Sequence, residues 1–423
     1  MSSIIKYFKE IASIPHCSRD AERLKEFLVQ FAKDRGYEVA VDEAQNILIS
    51  KGSPNLCLQA HYDMVCMGEA PNLDIYIEDG LMRARDSSLG ADNGIAIAMM
   101  MELMDSGSEL EFLITADEEI GLIGASALSF DLHSTMMLNL DSEDEAEVYI
   151  GCAGGVDIVA SKPYATTFDD RESYEISIDG LAGGHSGVDI DRNIPNAIKL
   201  LASYIKEREL EIVSIEGGER LNSIPSSAKA IVKSTTPPKG NDIVKVCRVD
   251  SIDPILYGGS EVIDLLKGFS HGVQAMNEMF KIPEISINLA IVSTENGIVT
   301  IETSARAMSP DGLAQISNKT VEFFKSFGYS VELRDKYPSW RPEINSFTKD
   351  VERAMIEVFG ESKMVAIHAG LECGVISQKY PSILLASIGP TIRYPHSTRE
   401  EVDLESVEKT FEVLKLIITN LKN

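Results

Sequence analysis

Short apolar runs that end in acidic residues or histidines recur along this chain. Four of them are LCLQAHYD (56–63), LEFLITADEE (110–119), MMLNLD (136–141) and SILLASIGPTIRYPH (382–396). Apolar runs of this length predict buried strands, while SSLGADNG (87–94) precedes an apolar run that predicts a helix. In an open, mostly parallel α/β sheet, the carboxyl ends of the strands share one edge, where ligands bind. We therefore expect the polar groups of these segments to converge there.

The order of the predicted elements indicates an interrupted α/β domain. Helical and strand patterns alternate near both ends of the chain. In the middle, residues 285–306 show the period-two alternation of strands, whereas residues 261–280 have a helical pattern. We predict an α/β fold: residues 1–171 and 340–423 form one discontinuous domain, with a mostly parallel mixed sheet flanked by helices, and residues 172–339 form an inserted α+β domain.

Composition and charge narrow the classes of partner. The chain has 423 residues, of which 44% are hydrophobic, enough for two domains with apolar cores. Its formal net charge of -27 would repel phosphate backbones and anionic lipids, so we expect neither nucleic acid nor a membrane as a partner. The longest apolar stretches, such as GIAIAMMMELM, are far shorter than the roughly 20 residues of a membrane-spanning helix. A divalent cation, by contrast, suits this negative field.

Two further features predict a cytoplasmic protein. The N-terminal segment MSSIIKYFKEIASIP has charges interleaved with a helical pattern and lacks the cleavage-site pattern of a secretory signal. The six cysteines include no CxxC pair and no dense framework of the kind that secreted domains use for disulfides. We therefore expect a reducing cytoplasm.

Two pairs of polar residues at predicted strand ends favour metal chemistry. His61 and Asp63 are two residues apart, so in extended backbone the carboxylate can support an imidazole metal ligand. A solvated strand end would explain this pair equally well. Glu118 and Glu119 are adjacent after the strongest predicted strand, so one can bind metal while the other acts as a base. Repulsion between two neighbouring acids raises the pKa of one of them.

The other three candidates are ambiguous when each is taken singly. Asp92 stands at the start of the apolar helix and fits a plain N-cap better than a ligand. Asp141 ends a strand, and we expect the acids that follow it in SEDEAE to form a solvated face. His396 follows a proline-containing loop, where a lone histidine is more often a surface residue. Their combination with the other candidates favours a divalent metal, since zinc accepts both nitrogen and oxygen ligands.

Competing catalytic signatures are absent from the sequence or stand in the wrong context. The chain has no HExxH, no glycine-rich loop ending in GK[ST] and no GxGxxG after a first strand. Residues 268–272 (GFSHG) match GxSxG, but a nucleophile elbow requires a strand before the serine, and the helical pattern EVIDLLK precedes it. We therefore expect no nucleophile elbow at this segment.

The ordered motifs resemble those of one enzyme family. They are LQAHYDMV, GADNG, TADEEIGLIGA, LNLDSED, YIGCAGG, GLAGGHSG, HAGLECG and SIGPTIRYPHS, spread over nearly the whole chain. Together they are similar to the aminoacyl-histidine dipeptidases (peptidase D), relatives of the carnosinases among the di-zinc metallopeptidases. The resemblance implies that residues 1–171 and 340–423 are a catalytic domain and that residues 172–339 are a lid or dimerisation domain. It also implies two zinc ions bridged by an aspartate and by a water or hydroxide.

The resemblance further implies roles for individual residues. Glu118 would be the general base and Asp63 the support of His61. His185 would polarise the scissile carbonyl, often in a neighbouring subunit's active site. Asn222, Arg306, His368 and Glu372 would bind the termini of the substrate, and His61, Asp92, Glu119, Asp141 and His396 would bind the metals, with Asp92 bridging.

The implied function is metal-dependent hydrolysis of Xaa-His and other unblocked dipeptides by a homodimer, through a hydroxide that bridges the metals. Zinc is the expected metal, and manganese or cobalt also suits mixed histidine and carboxylate ligands. The same centre could instead cleave tripeptides or deacylate N-acyl amino acids, since the metals do not select the substrate. Outside the enzymes, the alternative is a non-catalytic metal- or peptide-binding relative, although the presence of both Glu118 and all five candidate ligands argues against it.

Overall fold

The computed structural model describes residues 2–421 and divides the chain into two compact units. Unit 1 contains the chain up to Cys152, residues Trp340–Ala366 and the chain from Leu371 onward. Unit 2 contains residues Ala153–Ser339 and Ile367–Gly370.

The helices of the described residues include none that is both long and apolar enough to cross a membrane. They are α1 (Ser2–Ala12), α2 (Glu22–Asp34), α3 (Ala91–Asp105), α4 (Ile123–Ser126), α5 (Ala197–Glu207), α6 (Ser260–Gly268), α7 (Pro310–Ser326), α8 (Ser346–Phe359), α9 (Glu372–Lys379) and α10 (Leu404–Asn420), with a short 3-10 helix at Ile190–Arg192.

The strands of the described residues vary in length from two residues to fourteen. They are β1 (Glu38–Val41), β2 (Ile47–Ser50), β3 (Leu56–His61), β4 (Ile75–Glu78), β5 (Leu81–Ala84), β6 (Glu111–Thr115), β7 (Met136–Asn139), β8 (Glu147–Cys152), β9 (Gly154–Pro163), β10 (Thr166–Thr167), β11 (Glu172–Ile178), β12 (Gly184–His185), β13 (Glu211–Gly217), β14 (Ser223–Ile224), β15 (Ala228–Ser234), β16 (Lys245–Val249), β17 (Ile255–Leu256), β18 (Gly272–Asn277), β19 (Ile282–Glu295), β20 (Ile298–Ala307), β21 (Ser330–Tyr337), β22 (Lys363–Ile367), β23 (Leu384–Ser387), β24 (Ile392–Arg393) and β25 (Glu401–Asp403).

Unit 1 is built on an eight-stranded sheet in the order β1-β2-β6-β3-β7-β23-β8-β22. The neighbours β6, β3, β7 and β23 are parallel, whereas β1, β2 and β8 pair antiparallel on either side of them. Every residue of β3, β6 and β7 is buried, as is typical of parallel strands that helices cover. The predicted α/β fold with a mixed sheet flanked by helices is confirmed.

Helix α3 is apolar on all sides because it lies inside unit 1. Its residues from Gly94 to Met101 are all buried. Helix α1 packs against it, and a Cβ atom at Gly94 would lie only 3.2 Å from the ring of Phe8. The missing side chain at Gly94 therefore lets the two helices approach closely, and this packing holds the beginning of α3 in place.

Unit 2 is built on an antiparallel sheet in the order β16-β11-β15-β13-β19-β20-β9-β21, with β18 paired to β19. Apolar residues from the sheet, among them Ile176 and Val232, form one core with residues from three helices. Leu201 of α5, Leu265 of α6 and Phe324 of α7 belong to this core. The alternation of buried and exposed residues along β11 follows from having one covered face.

The first boundary between the units differs from the predicted one. β9 pairs along its length with β20 and β21, so it belongs to the sheet of unit 2. The predicted boundary at residue 171 consequently lies inside unit 2. An apolar and polar pattern identifies a strand but does not reveal which sheet the strand joins. The catalytic and lid roles of the two parts stay predictions.

The helix predicted over residues 261–280 is wrong beyond Gly268. α6 ends there, and β18 begins at Gly272 and pairs with β19. Gly272 has a φ of +98°, which residues with side chains rarely adopt and which ends any helical path. The GFSHG segment thus lies between a helix and a strand, the reverse of the order in a nucleophile elbow.

Cys17 and Cys66 form a disulfide, with their Cα atoms 5.5 Å apart. The cysteine pattern did not predict this bridge, and a single bridge is not the dense disulfide framework of a secreted domain. Spacing along the chain does not reveal a pair separated by 49 residues. The bridge joins the segment that carries Ser18 to the one that carries Asp63. Cys57, Cys152, Cys247 and Cys373 are free thiols.

Candidate metal centre

The five predicted metal ligands lie together at one edge of the unit 1 sheet. His61 ends β3, Glu119 follows β6 and Asp141 follows β7. Asp92 lies at the start of α3, and His396 follows β24. The strands β6, β3 and β7 are parallel neighbours, so their carboxyl ends meet at the same edge.

Two groups of three side chains share Asp92. In one, His61 Nε2 lies 3.3 Å from Asp92 Oδ1 and 3.3 Å from Asp141 Oδ1. In the other, His396 Nε2 lies 3.1 Å from Asp92 Oδ2 and 2.9 Å from a carboxylate oxygen of Glu119. Within each group the candidate ligand atoms are all within 4.8 Å of one another. Asp92 presents one oxygen to each group, as a carboxylate that bridges two ions would.

The donor set suits divalent cations. Each of the two groups combines an imidazole nitrogen with carboxylate oxygens, which zinc and related metals accept. Burial raises the pKa of Glu119 to about 7, and the nearby Asp92 carboxylate adds to the effect. Burial likewise raises the pKa of Asp141 to about 7. Buried acids packed this closely need compensating positive charge, which a pair of metal ions would supply.

The two histidines show the same excess of negative charge. Burial lowers the pKa of His61, but Asp141, Asp63 and Asp92 outweigh it and leave that pKa well above its ordinary value. Burial also opposes protonation of His396, yet Asp92 and Glu119 raise its pKa to about 11. Without metal, protons therefore provide the positive charge of the centre.

The interpretation of Asp92 as an N-cap is wrong. The N-cap of α3 is Gly90, in the left-handed region with φ of 70°. Asp92 itself has φ of -81° and ψ of 103°, outside the helical region, and its carboxylate faces the two histidines. The free N–H groups at this end of α3 donate to Glu400 instead.

Asp63 connects His61 to the segment of the two glutamates. Its Oδ1 accepts the backbone N–H of Glu118 at 2.9 Å and lies 3.5 Å from His61 Nδ1. Its Oδ2 accepts the hydroxyl of Ser18 at 2.8 Å. Burial raises the pKa of Asp63, but the bonds from His61, Ser18 and Glu118 outweigh it, and the pKa lies below its ordinary value. An ionised carboxylate thus stands beside the candidate ligand His61.

Glu118 is a half-buried acid of the centre that suits proton transfer. An oxygen of its carboxylate lies within 4.8 Å of candidate ligand atoms of both His61 and Glu119. Burial raises the pKa of Glu118 well above its ordinary value; His61 opposes this, and the charges of Glu119 and Asp141 reinforce it. A carboxylate whose pKa is raised toward neutrality is a more effective general base.

The sequence patterns did not predict a chain of buried hydrogen bonds among residues of β3, β6 and β7 and their neighbours. Glu372 Oε2 accepts Gln59 Nε2 at 2.5 Å and the Thr115 hydroxyl at 2.7 Å. Gln59 Oε1 accepts Asn139 Nδ2 at 2.5 Å, and Asn139 Oδ1 accepts the Ser387 hydroxyl at 2.5 Å. The sequence feature that could have indicated these bonds is the presence of single polar residues inside otherwise apolar strands. Glu372 has no exposed surface, and its predicted substrate contact stays a prediction.

The sequence patterns did not identify Glu143 as a residue of the centre either, since they predict a solvated face for all the acids of SEDEAE. The expectation is wrong for this residue, which is half-buried beside the centre. Burial raises its pKa to about 8, and the charge of Asp92 adds to the effect. The sequence feature that could have identified it is its position two residues after Asp141, the same spacing as between His61 and Asp63.

Two of the predicted site residues lie on or beside the short two-stranded sheet that β12 and β14 form in unit 2. His185 is in β12, where its Nδ1 accepts the backbone N–H groups of Gly187 at 3.2 Å and Val188 at 3.3 Å. These bonds place the ring proton on Nε2, which is therefore a hydrogen-bond donor. Asn222 is exposed, and its carbonyl accepts the N–H of Ser186 at 2.8 Å.

The other two predicted residues of unit 2 are buried. Arg306 donates to the Tyr337 hydroxyl at 2.6 Å, and its Nε has no partner among the described residues. His368 Nε2 lies 2.7 Å from the Ser286 hydroxyl. Burial and the charge of Arg306 lower the pKa of His368 to about 3, so its ring is neutral at pH 7.

Residues 57–420 match the family model described as peptidase family M20/M25/M40. The chain belongs to this family. The resemblance seen in the sequence motifs and the predicted class, a metallopeptidase, are confirmed.

Known proteins that are similar to this chain match it over nearly its whole length. Cytosol non-specific dipeptidase of Escherichia coli (strain K12) is 31% identical over 472 residues, covering 98% of this chain and 96% of that protein. The structure of aminoacylhistidine dipeptidase from Vibrio alginolyticus has a TM-score of 0.81 at 28% identity, covering 99% of this chain and 96% of that one. Aminopeptidase PepT from Bacillus cereus shares the fold, with a TM-score of 0.67, 17% identity and coverage of 100% and 99%.

Proposed function

We propose that this chain is a metal-dependent dipeptidase that hydrolyses unblocked dipeptides, Xaa-His among them. One observation carries the proposal: two groups of candidate ligands share Asp92, and the half-buried acid Glu118 lies beside them. The dipeptidase names of the E. coli and V. alginolyticus relatives support the choice of substrate class. We propose two divalent ions, zinc in the first place, with ligands His61, Asp92, Glu119, Asp141 and His396.

The residues of the centre divide the catalytic work. When bound, a pair of divalent ions would polarise the peptide carbonyl and lower the pKa of the attacking water. Glu118 would accept a proton from that water and pass it to the leaving amine. The backbone carbonyl of Asp63, 3.0 Å from His61 Nδ1, would keep His61 in the tautomer that leaves its Nε2 free for metal. The Asp63 carboxylate, 3.5 Å from the same nitrogen, would support this ligand with its charge.

Four residues of unit 2 are proposed to recognise the substrate. His185 Nε2 is the ring nitrogen that carries the proton, so it would donate a hydrogen bond to the scissile carbonyl oxygen. The Arg306 guanidinium would pair with the free carboxylate of a dipeptide, because such a pair has matched charge and geometry. Asn222 and His368 would bind the substrate's polar termini. We further propose that the protein acts as a homodimer in the cytoplasm.

The test compares wild type with Glu118→Gln on β-alanyl-histidine, other Xaa-His dipeptides, ordinary dipeptides, a tripeptide and an N-acyl amino acid. Metal content is measured on the same samples. We expect wild type to cleave the unblocked dipeptides, to lose activity on chelation and to regain it with zinc or manganese. Glu118→Gln should keep its metal while kcat falls by about 10²- to 10⁴-fold, the usual contribution of a general base.

Glu145→Gln is the matched control, because Glu145 is an exposed acid of the nearby SEDEAE segment. It should behave as wild type. Full activity in Glu118→Gln would remove Glu118 from the mechanism. Cleavage of only the tripeptide or only the N-acyl amino acid would assign the same centre to a different substrate class.

A further inference from the structure

The backbone just before α3 has an unusual hydrogen-bonding pattern. A helix leaves its first N–H groups without partners inside the helix, and a nearby Ser, Asp or Asn normally accepts one of them. At α3 no local side chain caps the helix. The adjacent Ser88 is committed elsewhere, since its hydroxyl donates to the carbonyl of Val65 at 2.7 Å.

One distant carboxylate accepts four N–H groups in and just before the first turn of α3. Glu400 Oε2 accepts the N–H groups of Leu89 at 2.7 Å and Gly90 at 3.0 Å. Glu400 Oε1 accepts those of Ala91 at 2.8 Å and Asp92 at 3.3 Å. Glu400 is 3% exposed, so these bonds lie in the protein interior. Because every one of its partners is a donor, the side chain acts here as an acceptor with both oxygens.

The position of Glu400 in the chain gives these bonds a second consequence. Glu400 follows His396 by four residues, whereas it is 308 residues away from Asp92. The side chain therefore ties the segment of one candidate ligand to the backbone of another. His396 Nε2 and Asp92 Oδ2 lie 3.1 Å apart in this arrangement. A displacement of Glu400 would therefore act on the segments of both residues.

We propose that Glu400 is a positioning residue that sets the separation of Asp92 and His396 and thereby allows the second metal ion to bind. The inference rests on the proposed function, since it takes both residues as ligands. Glu400 acts on the group formed by Asp92, Glu119 and His396. The group formed by His61, Asp92 and Asp141 shares Asp92, but its other two candidate ligands lie at the ends of β3 and β7, so it depends on Glu400 less.

Glu400→Gln tests the proposal with little change in volume. Glutamine has a single oxygen, so it can accept from one pair of N–H groups only, and its own amide donors then face the other pair. The segment from Leu89 to Asp92 must move away from such a side chain. Zinc alone is titrated into metal-free protein by calorimetry, and the melting temperature of the metal-free protein is recorded.

We expect wild type to bind two zinc ions and Glu400→Gln to bind one of them at least 10-fold more weakly, the scale on which residues that orient ligands act. The other ion and the melting temperature of the metal-free protein should change little. In a His396→Ala background, Glu400→Gln should add no further loss, because both changes affect the same ion.

Glu401→Gln is the matched control. Glu401 is the next residue in the chain and pairs with Arg83, whose Nε donates to it at 2.7 Å, away from the candidate ligands. This variant should bind both ions as wild type does.

Three results would overturn the proposal. They are two zinc ions bound normally by Glu400→Gln, an equal weakening of both ions together with a fall in the melting temperature, and failure of the variant to fold. The last two would make Glu400 a structural cap of α3 only. A wild type that binds fewer than two zinc ions would instead contradict the proposed function, so the two failures are distinguishable.

Discussion

At the residue scale, Asp63 lies beside the candidate ligand His61 and acts on it through its charge. Its carboxylate lies 3.5 Å from His61 Nδ1 and accepts bonds from Glu118 and Ser18. A carboxylate next to a metal-bound imidazole raises the basicity of the ligand. The tautomer of His61 is held by the backbone carbonyl of Asp63, 3.0 Å from Nδ1, which a substitution at this position leaves in place. Asparagine keeps an oxygen for the Glu118 N–H and can direct its amide to Ser18, but it carries no charge.

We therefore predict that Asp63→Asn lowers zinc affinity by about 10- to 100-fold while the protein stays folded. Competition with a chromogenic chelator measures the affinity. Ser18→Ala is the control, because it removes one hydrogen bond of Asp63 and keeps the charge, and its zinc affinity should lie close to that of wild type. Equal affinities of Asp63→Asn and wild type would show that the charge of Asp63 does not act on His61.

Residues of the centre were predictable where the local chain dictates their direction. His61, Glu119 and Asp141 directly end or follow buried parallel strands, so their convergence could be expected from sequence. Glu400 could not be found in this way. Its function depends on N–H groups 308 or more residues away, and no local pattern encodes such a contact. For the same reason the sequence makes Asp92 look like the cap of α3, because it does not reveal that Glu400 takes that role.

At the element scale, strands were predictable in proportion to how much of each is buried. β3, β6 and β7 are apolar on both faces because the sheet is covered, and their sequence runs were unambiguous. β18 is half-buried and contains residues such as Gln274 and Met276 that suit a helix equally well. Pairing with β19 decides its conformation, and a local pattern does not contain that partner.

The packing of the segment after β23 gives a prediction at this scale. A Cβ atom at Gly389 would lie 1.6 Å from the carbonyl oxygen of Ser142, the residue next to Asp141. Gly389→Ala must push these backbone segments apart, and overpacking of this kind typically costs about 1–3 kcal/mol. We expect a lower free energy of unfolding and weaker zinc binding, measured by urea denaturation of the metal-free protein and by zinc titration.

Gly268→Ala is the control for Gly389→Ala, since a Cβ atom at the end of α6 meets nothing within 4 Å. Its free energy of unfolding should stay within about 0.5 kcal/mol of wild type, as for most surface substitutions. Wild-type stability and zinc affinity in Gly389→Ala would show that the two segments separate without cost.

At the scale of the whole molecule, the metal-free protein holds protons that the unfolded chain releases. The pKa values of Glu119 and Asp141 are raised to about 7, from ordinary values of 4.5 and 3.8. The pKa of Glu118 is also raised, and that of His396 rises to about 11 from 6.5. The pKa of Asp92 is lowered, but this affects stability only in acid, below its ordinary value of 3.8. Between pH 5 and 8 the folded state therefore binds more protons than the unfolded state.

This excess of protons predicts that the metal-free protein becomes less stable from pH 5.5 to 7.5, by roughly 1.4 kcal/mol per pH unit for each extra proton. The stabilisation by zinc should instead increase over the same range, because the ligands must lose their protons to bind metal. Urea denaturation with and without zinc measures both slopes. Asp141→Asn removes one titrating acid, so it should flatten the slope of the metal-free protein. A metal-free protein that gains stability between pH 5.5 and 7.5 would contradict the raised pKa values of these acids. The argument that the centre needs cations would then lose its support.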